Sequence, residues 1–237
     1  MRKAQSLAVI LFLMGVYVVS VAAQEPVYWS NPGQLGIGRV SPVIGALPNG
    51  RMAIASVAQS PASPSLGTLL LGIYDTSGNL IREVTVEQNV FVYAFTPNID
   101  NLHRWDGFPP SVHLDISPDG NKITVAYMGD TRGIFLKQYA SDLTQLIDRT
   151  TVYGASSIDF DITTTQNGEI HTISQGLSDF TAAYGRFSSS GQPIGPPIRI
   201  QPGRGDGYIL DVEIARYAGN TVLIGYMRDD APDGSLT

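Results

Sequence analysis

The stretch GRFSSSGQPIGPPIRI (residues 185–200) has the pattern of a β-hairpin, in which a Ser-Ser-Gly turn separates two extended segments. The stretch GIYDTSGNLIREVTV (residues 72–86) follows the same order, with an aromatic residue, a Gly turn and a second apolar segment. Glycine supplies the positive φ that tight hairpin turns require. The same hairpin pattern at two distant positions in the chain indicates an internal repeat.

Four other turns mark the start of each repeat, and they read LPNGR (47–51), SPDGN (117–121), TQNGE (165–169) and YAGNT (217–221). Their glycines are spaced by 70, 48 and 51 residues. An aromatic residue follows 19 positions after the glycine in two units, and 24 positions after it in the first, where QSPAS (59–63) has the length of an insert. The second turn comes four residues later, at Gly78, Leu143 and Gly191. Because Leu143 is not glycine, we expect its turn to take another shape.

Each unit therefore holds four short strands, A to D, in about fifty residues, which is typical of a β-propeller blade. The sequence predicts an all-β propeller with three complete four-stranded antiparallel blades and an incomplete fourth, over residues 35–97, 108–154, 155–203 and 208–237. Counted from Gly219, the aromatic residue of strand C in the fourth unit would fall one position past Thr237, so strands C and D of this unit are missing. We expect the chain to be part of a larger propeller with further C-terminal blades. Otherwise a segment such as PVYWS (26–30), or another chain, completes the sheet.

Two segments carry a resemblance to a known kind of repeat, LDVEIARYAGNTVLIGYMRDDAPDGS (210–235) and AAYGRFSSSGQPIGPPIRI (182–200). They resemble halves of the tandem repeats found in large secreted bacterial proteins. The resemblance extends over residues 42–86 and 108–237. It implies an exported module with a propeller-like or repeat-array fold, and it implies no particular activity.

The N-terminus has the pattern of a signal peptide. Arg2 and Lys3 precede an apolar run of 13 residues, and small residues up to Ala23 form a cleavage site. We expect residues 1–23 to be removed, residues 24–237 to form the propeller domain, and the protein to be secreted or periplasmic. The run is shorter than the roughly 20 residues of a membrane span, so no stable span is expected after cleavage; an uncleaved anchor is the alternative.

Composition excludes several classes of function. The chain has a net charge of −6, which argues against a nucleic-acid partner, because binding phosphates needs clustered Lys and Arg. It contains no cysteine, so neither disulfides nor thiolate chemistry are available. The sequence also lacks the G-x-S-x-G and H-E-x-x-H motifs of two large hydrolase groups.

The longer loops fall at one end of the predicted blades, where the B–C and D–A connections lie, and such loops usually carry binding sites. Trp105 is flanked there by Arg104 and Asp106, a combination that suits sugar stacking or a peptide anchor. A solvated rim, with Trp105 packed between blades, is the alternative. Before this loop, VFVYAF (90–95) is expected to be an extra strand. The candidate ligand-binding residues are His103, Arg104, Trp105, Asp106, Asp130, Arg132, Arg204, Asp206, Arg228, Asp229 and Asp230.

A second group of polar residues alternates with apolar ones in strand A of three units, namely His113, Asp115, Asp159, Asp161, Asp211 and Glu213. Strand A lies nearest the axis of a propeller. Carboxylates that converge there could hold Ca²⁺, which prefers oxygen ligands, and Asp115, Asp161 and Glu213 are the candidate ligands. Alternatively, these side chains accept hydrogen bonds from the backbone or Arg between blades, or face water.

Two functions remain open at this point. The sequence favours a non-catalytic exported module that binds an extracellular glycan, protein or surface through its loops. The alternative is a secreted propeller hydrolase or lyase that acts on a polysaccharide with loop carboxylates.

Overall fold

Each repeat unit folds into one antiparallel sheet, because its apolar residues alternate and its turns reverse the chain after strands of three to twelve residues. The computed structural model describes residues 39–60, 63–92, 111–154, 157–176, 181–200 and 208–229, all within one compact unit, residues 33–237. The strands are β1 (Arg39–Ala46), β2 (Met52–Ser60), β3 (Ser63–Tyr74), β4 (Leu80–Phe91), β5 (Val112–Ile116), β6 (Lys122–Met128), β7 (Ile134–Ala140), β8 (Gln145–Tyr153), β9 (Ser157–Thr164), β10 (Ile170–Gly176), β11 (Ala182–Phe187), β12 (Ile198–Ile200), β13 (Tyr208–Arg216) and β14 (Val222–Asp229).

The strands pair in sequence order within four sheets. Three sheets have four strands each, β1 to β4, β5 to β8 and β9 to β12, and the fourth consists of β13 and β14. We call them blades 1 to 4. The protein is therefore an all-β, incomplete β-propeller, as the repeat period predicts. No helix in the described ranges is long and apolar enough to cross a membrane. The predicted signal peptide, and the segment PVYWS, lie outside the described residues.

The predicted turns are confirmed where glycine occupies them. Gly50, Gly120, Gly168 and Gly219 all have positive φ, between 56° and 83°. The expectation for Leu143 is wrong. Leu143 has a φ of 67°, close to the 80° of Gly78 and the 78° of Gly191, and its N–H donates to the Ala140 carbonyl as Gly191 N–H does to Ser188. The turn keeps its shape because the Leu143 side chain is buried in the core between blades 1 and 2, which offsets the strain of the left-handed conformation.

The expected extra strand at residues 90–95 is also wrong over the part that the structure describes. Val90 and Phe91 are the end of β4, where they pair with Gly67 and Leu66. A bulge at Asn89, which has a φ of 57°, shifts the register between β3 and β4. β4 continues beyond this bulge to Phe91. Residues 93–95 lie outside the described ranges.

The inner strand of each blade is its first strand, and along β5, β9 and β13 the side chains face the preceding blade and the following blade in turn. Leu114 and Ile116 of β5 pack against the core of blade 1. Phe160 and Ile162 of β9 pack in the same way against blade 2, and Val212 and Ile214 of β13 against blade 3. Because side chains alternate along a strand, the polar residues between them lie on the opposite face, toward the next blade.

Candidate functional site

The polar residues of the inner strands form one connected row across blades 2, 3 and 4. At its centre, His113 Nδ1 lies 2.8 Å from Asp161 Oδ1, which joins blade 2 to blade 3. The imidazole is held against the Phe160 ring, with 4.8 Å between ring centroids. The His113 ring therefore has a fixed orientation, with Nδ1 directed at Asp161.

Asp159 and Asp211 form the second contact of the row, between blades 3 and 4. Asp159 Oδ2 accepts the Val212 N–H at 3.0 Å, and its side chain also hydrogen-bonds the Asp211 carboxyl. Burial, followed by the bond to Asp211, raises the pKa of Asp159 to about 7. Two carboxyl groups in hydrogen-bond contact need one proton between them, so this pair holds a proton near neutral pH.

Asp161 and Glu213 form the third contact, two residues further along the same strands. Burial by itself would raise the pKa of Asp161, but the hydrogen bond and charge of His113, together with the Ile214 and Ile162 N–H groups, lower it. The pKa of Glu213 is raised by partial burial and by the neighbouring Asp161 carboxylate. The row therefore places an ionised carboxylate beside groups that retain protons more readily.

Two of the three candidate calcium ligands accept hydrogen bonds from the backbone of the next blade. Asp115 Oδ2 accepts the Thr164 N–H at 2.7 Å, and Asp161 Oδ2 accepts the Ile214 N–H at 2.9 Å. This is the arrangement that the sequence left open as the alternative to a metal. In the described part of the chain, no three His, Asp or Glu side chains converge closely enough to hold a metal ion. Calcium binding by Asp115, Asp161 and Glu213 stays a prediction.

Asp211 and Glu213 are the members of the row in blade 4, and of these Glu213 is exposed while Asp211 is half-buried, as Asp161 is. They lie on the face of β13 opposite to that of Val212 and Ile214 and pair with Met227 and Gly225 of β14, and their carboxyl groups contact Asp159 and Asp161 of blade 3. Among the described residues this face of blade 4 is open, because Gly225 has no side chain to cover Glu213.

The predicted loop site is described only in part. Arg132 lies with its guanidinium 4.7 Å from the centre of the Phe91 ring, and its carbonyl accepts the Ser157 N–H. It thereby contacts blades 1 and 3, and its role in ligand binding stays a prediction. Asp130 is exposed and its Oδ1 accepts the Thr131 N–H, so the structure does not bring it to the carboxylate row.

The remaining candidates lie where no side chain is described. They are His103, Arg104, Trp105, Asp106, Arg204, Asp206 and Asp230, outside the described ranges, and Arg228 and Asp229, of which only the backbone is described. Their role in ligand binding stays a prediction.

One polar residue of the site is absent from the sequence-based candidates. Gln175 of β10 is completely buried and pairs directly with Asp159 of β9. Its Nε2 donates to the Ile209 carbonyl of blade 4, while Oε1 has no partner. The only signal in the sequence is its position at the end of strand B, where blade 2 has Met128.

Comparison with known proteins gives the fold and no family. No protein-family model and no characterised protein sequence matches the chain. Among solved structures, the GH43 endo-arabinanase from Bacillus licheniformis is 18% identical, with 79% of this chain and 73% of that chain covered and a TM-score of 0.39. The β-propeller domain of the trilobed protease from Pyrococcus furiosus is 8% identical, with 80% and 58% covered and a TM-score of 0.41. The Hadza microbial sialidase Hz136 is 11% identical, with 81% and 42% covered and a TM-score of 0.47.

The prediction of a non-catalytic binding module is wrong. The finding that overturns it is that the solved structures above include an endo-arabinanase and a sialidase. At these identities the likeness itself concerns only the fold.

Proposed function

We propose that the protein is a β-propeller glycoside hydrolase in which Asp211 and Glu213 are the two catalytic carboxyl groups. The observation that carries the proposal is the geometry of β13. The two side chains are two residues apart on one strand face, which separates their Cα atoms by about 7 Å. Hydrolysis of a glycosidic bond needs two carboxyl groups beside the same bond, one as acid and one as base or nucleophile, and neighbouring side chains on one strand face can supply such a pair.

The buried layer behind them supports a division of roles. Asp159 hydrogen-bonds the Asp211 carboxyl, and Asp159 can supply a proton at neutral pH because its pKa is raised to about 7. Glu213 lies beside Asp161, whose carboxylate raises the pKa of Glu213. A carboxylate with a raised pKa is the stronger base once it has lost its proton.

The reaction then balances without a cofactor. The proton of the Asp159–Asp211 pair passes through Asp211 to the glycosidic oxygen while the bond from that oxygen to the anomeric carbon breaks. A water molecule adds to the anomeric carbon and gives its proton to Glu213. The products are two sugar chains, and transfer of the proton from Glu213 to the Asp159–Asp211 pair through solvent restores the site.

The surroundings of the two carboxyl groups support a polymer as substrate. Leu223 and Met227 are more than half exposed on the same open face of β13 and β14. Apolar side chains beside hydrogen-bonding groups match the two faces of a sugar ring. A polysaccharide substrate also agrees with the export that the N-terminal sequence predicts, and export is part of the proposal.

The test is hydrolysis of a panel of polysaccharides by the wild type, Asp211→Asn and Glu213→Gln, measured as new reducing ends. We expect each substitution to lower turnover at least 100-fold while the protein remains folded. Asp148→Asn is the matched control, because Asp148 is exposed on β8 and outside the row. Full activity of both active-site variants, or no turnover by the wild type on any polymer, would contradict the proposal.

A further inference from the structure

Two Asn-Gly pairs occur in the sequence, Asn49-Gly50 and Asn167-Gly168, and both lie in the turn between the first and second strands of a blade. Such a pair can react within the chain, because the backbone nitrogen of the glycine reaches the side-chain amide carbon and no Cβ of the glycine hinders the approach. Both asparagines are exposed to solvent. Exposure therefore does not distinguish them, and the hydrogen bonds around each side chain do.

Asn167 is held by hydrogen bonds at both ends of its side chain. Its Oδ1 accepts the Thr165 hydroxyl at 2.7 Å and the Glu169 N–H at 3.2 Å. Its Nδ2 donates to Glu169 Oε1 at 3.1 Å. The Asn167 backbone is fixed as well, because its N–H donates to Asn220 Oδ1 of blade 4 at 3.0 Å. Rotating this amide onto the backbone nitrogen of Gly168 would break several of these bonds.

Asn49 is not restrained in this way. In the described part of the chain its side chain has no hydrogen-bond partner. Arg51 occupies the position that Glu169 has after Asn167, so no carboxylate is placed there to receive the amide. The turn itself is closed by backbone groups, since the Leu47 N–H donates to the Arg51 carbonyl at 2.8 Å. The Asn49 amide can therefore rotate while the ends of the turn stay in place.

We propose that Asn49 is a site of spontaneous modification, at which the side-chain amide is converted to a carboxylate. The Gly50 nitrogen bonds to Asn49 Cγ, the bond from Cγ to Nδ2 breaks, and the proton of the Gly50 N–H leaves with the amide nitrogen as ammonia. Water then opens the cyclic imide at either of its carbonyls, which gives aspartate or isoaspartate. The reaction needs no oxidant, metal or enzyme, and it does not depend on the proposed hydrolase activity.

The isoaspartate product changes the backbone of a turn that contacts two blades. Leu47 is buried in the core between blades 1 and 2. Pro48 lies against the turn of blade 2, since a Cβ added to Gly120 would clash with its ring. In isoaspartate the main chain runs through the former side chain and is longer by one carbon atom. We therefore expect the isoaspartate form to hold Leu47 and Pro48 less well than the aspartate form, which keeps the ordinary backbone.

The test is incubation of the full chain at pH 8, with amide loss at Asn49 and Asn167 measured in the same sample by peptide mapping and mass spectrometry. We expect Asn49 to react at least tenfold faster, and both to react more slowly at pH 6, because the attacking nitrogen must lose its proton. In urea, which removes the hydrogen bonds of Asn167, the two rates should become similar. Equal rates in the folded protein would overturn the proposal. A difference that persists in urea would overturn it too, because the flanking residues would then be its cause.

Two variants test the physical reasons. Glu169→Ala releases the Asn167 amide, so we expect the rate at Asn167 to rise several-fold and that at Asn49 to stay unchanged. An unchanged rate at Asn167 would contradict protection by hydrogen bonds. Asn49→Asp carries the charge of the product on an ordinary backbone and should melt like the wild type, whereas isoaspartate protein separated by chromatography should melt a few degrees lower. Equal melting temperatures of these two forms would contradict the expected effect on the contact between blades 1 and 2.

Discussion

Two aspartates of β9, only two residues apart, show how strongly a single neighbour decides the state of a carboxyl group. Asp159 and Asp161 are both buried or nearly so, and each accepts a backbone N–H from blade 4. Asp161 also has the His113 imidazole at 2.8 Å, whereas Asp159 has the Asp211 carboxyl. The pKa of Asp161 is consequently lowered and that of Asp159 raised.

The substitution Asp159→Asn tests this at the scale of one residue. The pKa of Asp159 rises from 3.8 to about 7 on folding, so its protonation stabilises the fold fully below pH 3.8, and this contribution is lost as the pH rises through 7. Asparagine can donate to Asp211 at any pH. We expect Asp159→Asn to be more stable than the wild type at pH 8 by about 1–3 kcal/mol, and the difference to vanish near pH 4, in urea denaturation.

The matched variant Asp161→Asn has the opposite expectation. The pKa of Asp161 is lowered, so its stabilising contribution is present at neutral pH and is lost on acidification. Asp161→Asn should therefore be less stable than the wild type at pH 7, with a smaller difference at low pH. Parallel pH profiles for the two variants would contradict the assigned environments.

At the scale of the strand and turn, the elements predicted correctly are those whose cause is local. The Asn-Gly and Asp-Gly turns and the alternation of β5, β9 and β13 follow from the conformational needs of a few adjacent residues. The conformation of the turn at Leu143 was not predictable in this way, because it is stabilised by packing of the Leu143 side chain against residues of blade 1, which are distant in the sequence. The bulge that extends β4 likewise depends on its pairing with β3.

The candidate site was predictable to the same extent. Alternation alone puts Asp159, Asp161, Asp211 and Glu213 on one face of their strands. It does not say which backbone N–H each carboxylate accepts, because that depends on how two blades are offset. Gln175 was missed because it lies on strand B and is unremarkable by composition, and only the pairing of β10 with β9 places it beside Asp159.

Close approach of two inner strands gives a prediction at this scale. A Cβ added to Gly45 of β1 would lie 2.7 Å from Ile116 Cγ1 and would also clash with Leu114 of β5. We expect Gly45→Ala to lower the free energy of unfolding by about 1–3 kcal/mol, because the packed side chains of Leu114 and Ile116 must move. Gly154→Ala is the control, since nothing lies within 4 Å of a Cβ there, and it should change stability little. Equal urea midpoints for the two variants would show that the blades adjust without cost.

At the scale of the whole molecule, the inner strands join the blades by two kinds of contact at once. Each strand presents apolar side chains to the preceding blade and acceptors to the following one, so one inter-blade contact combines burial with hydrogen bonds to backbone N–H groups. Arg216 adds a longer connection, from blade 4 to the Thr164 carbonyl of blade 3. In blade 4, of which two strands are described, the Asp211 carboxyl hydrogen-bonds Asp159 and Glu213 lies beside Asp161 of blade 3.

This asymmetry predicts the order in which the blades open. Among the described residues, β10 is buried along its whole length and paired on both edges, whereas β14 is paired on one edge, with β13, and carries Leu223 and Met227 more than half exposed. Local opening costs least where few apolar contacts must be broken. Hydrogen exchange followed by mass spectrometry should therefore show the fastest exchange in peptides of β14 and the slowest in those of β6 and β10. Protection of β14 equal to that of β10 would mean that the open face is covered in solution, and Asp211 and Glu213 would then be inaccessible to a polysaccharide.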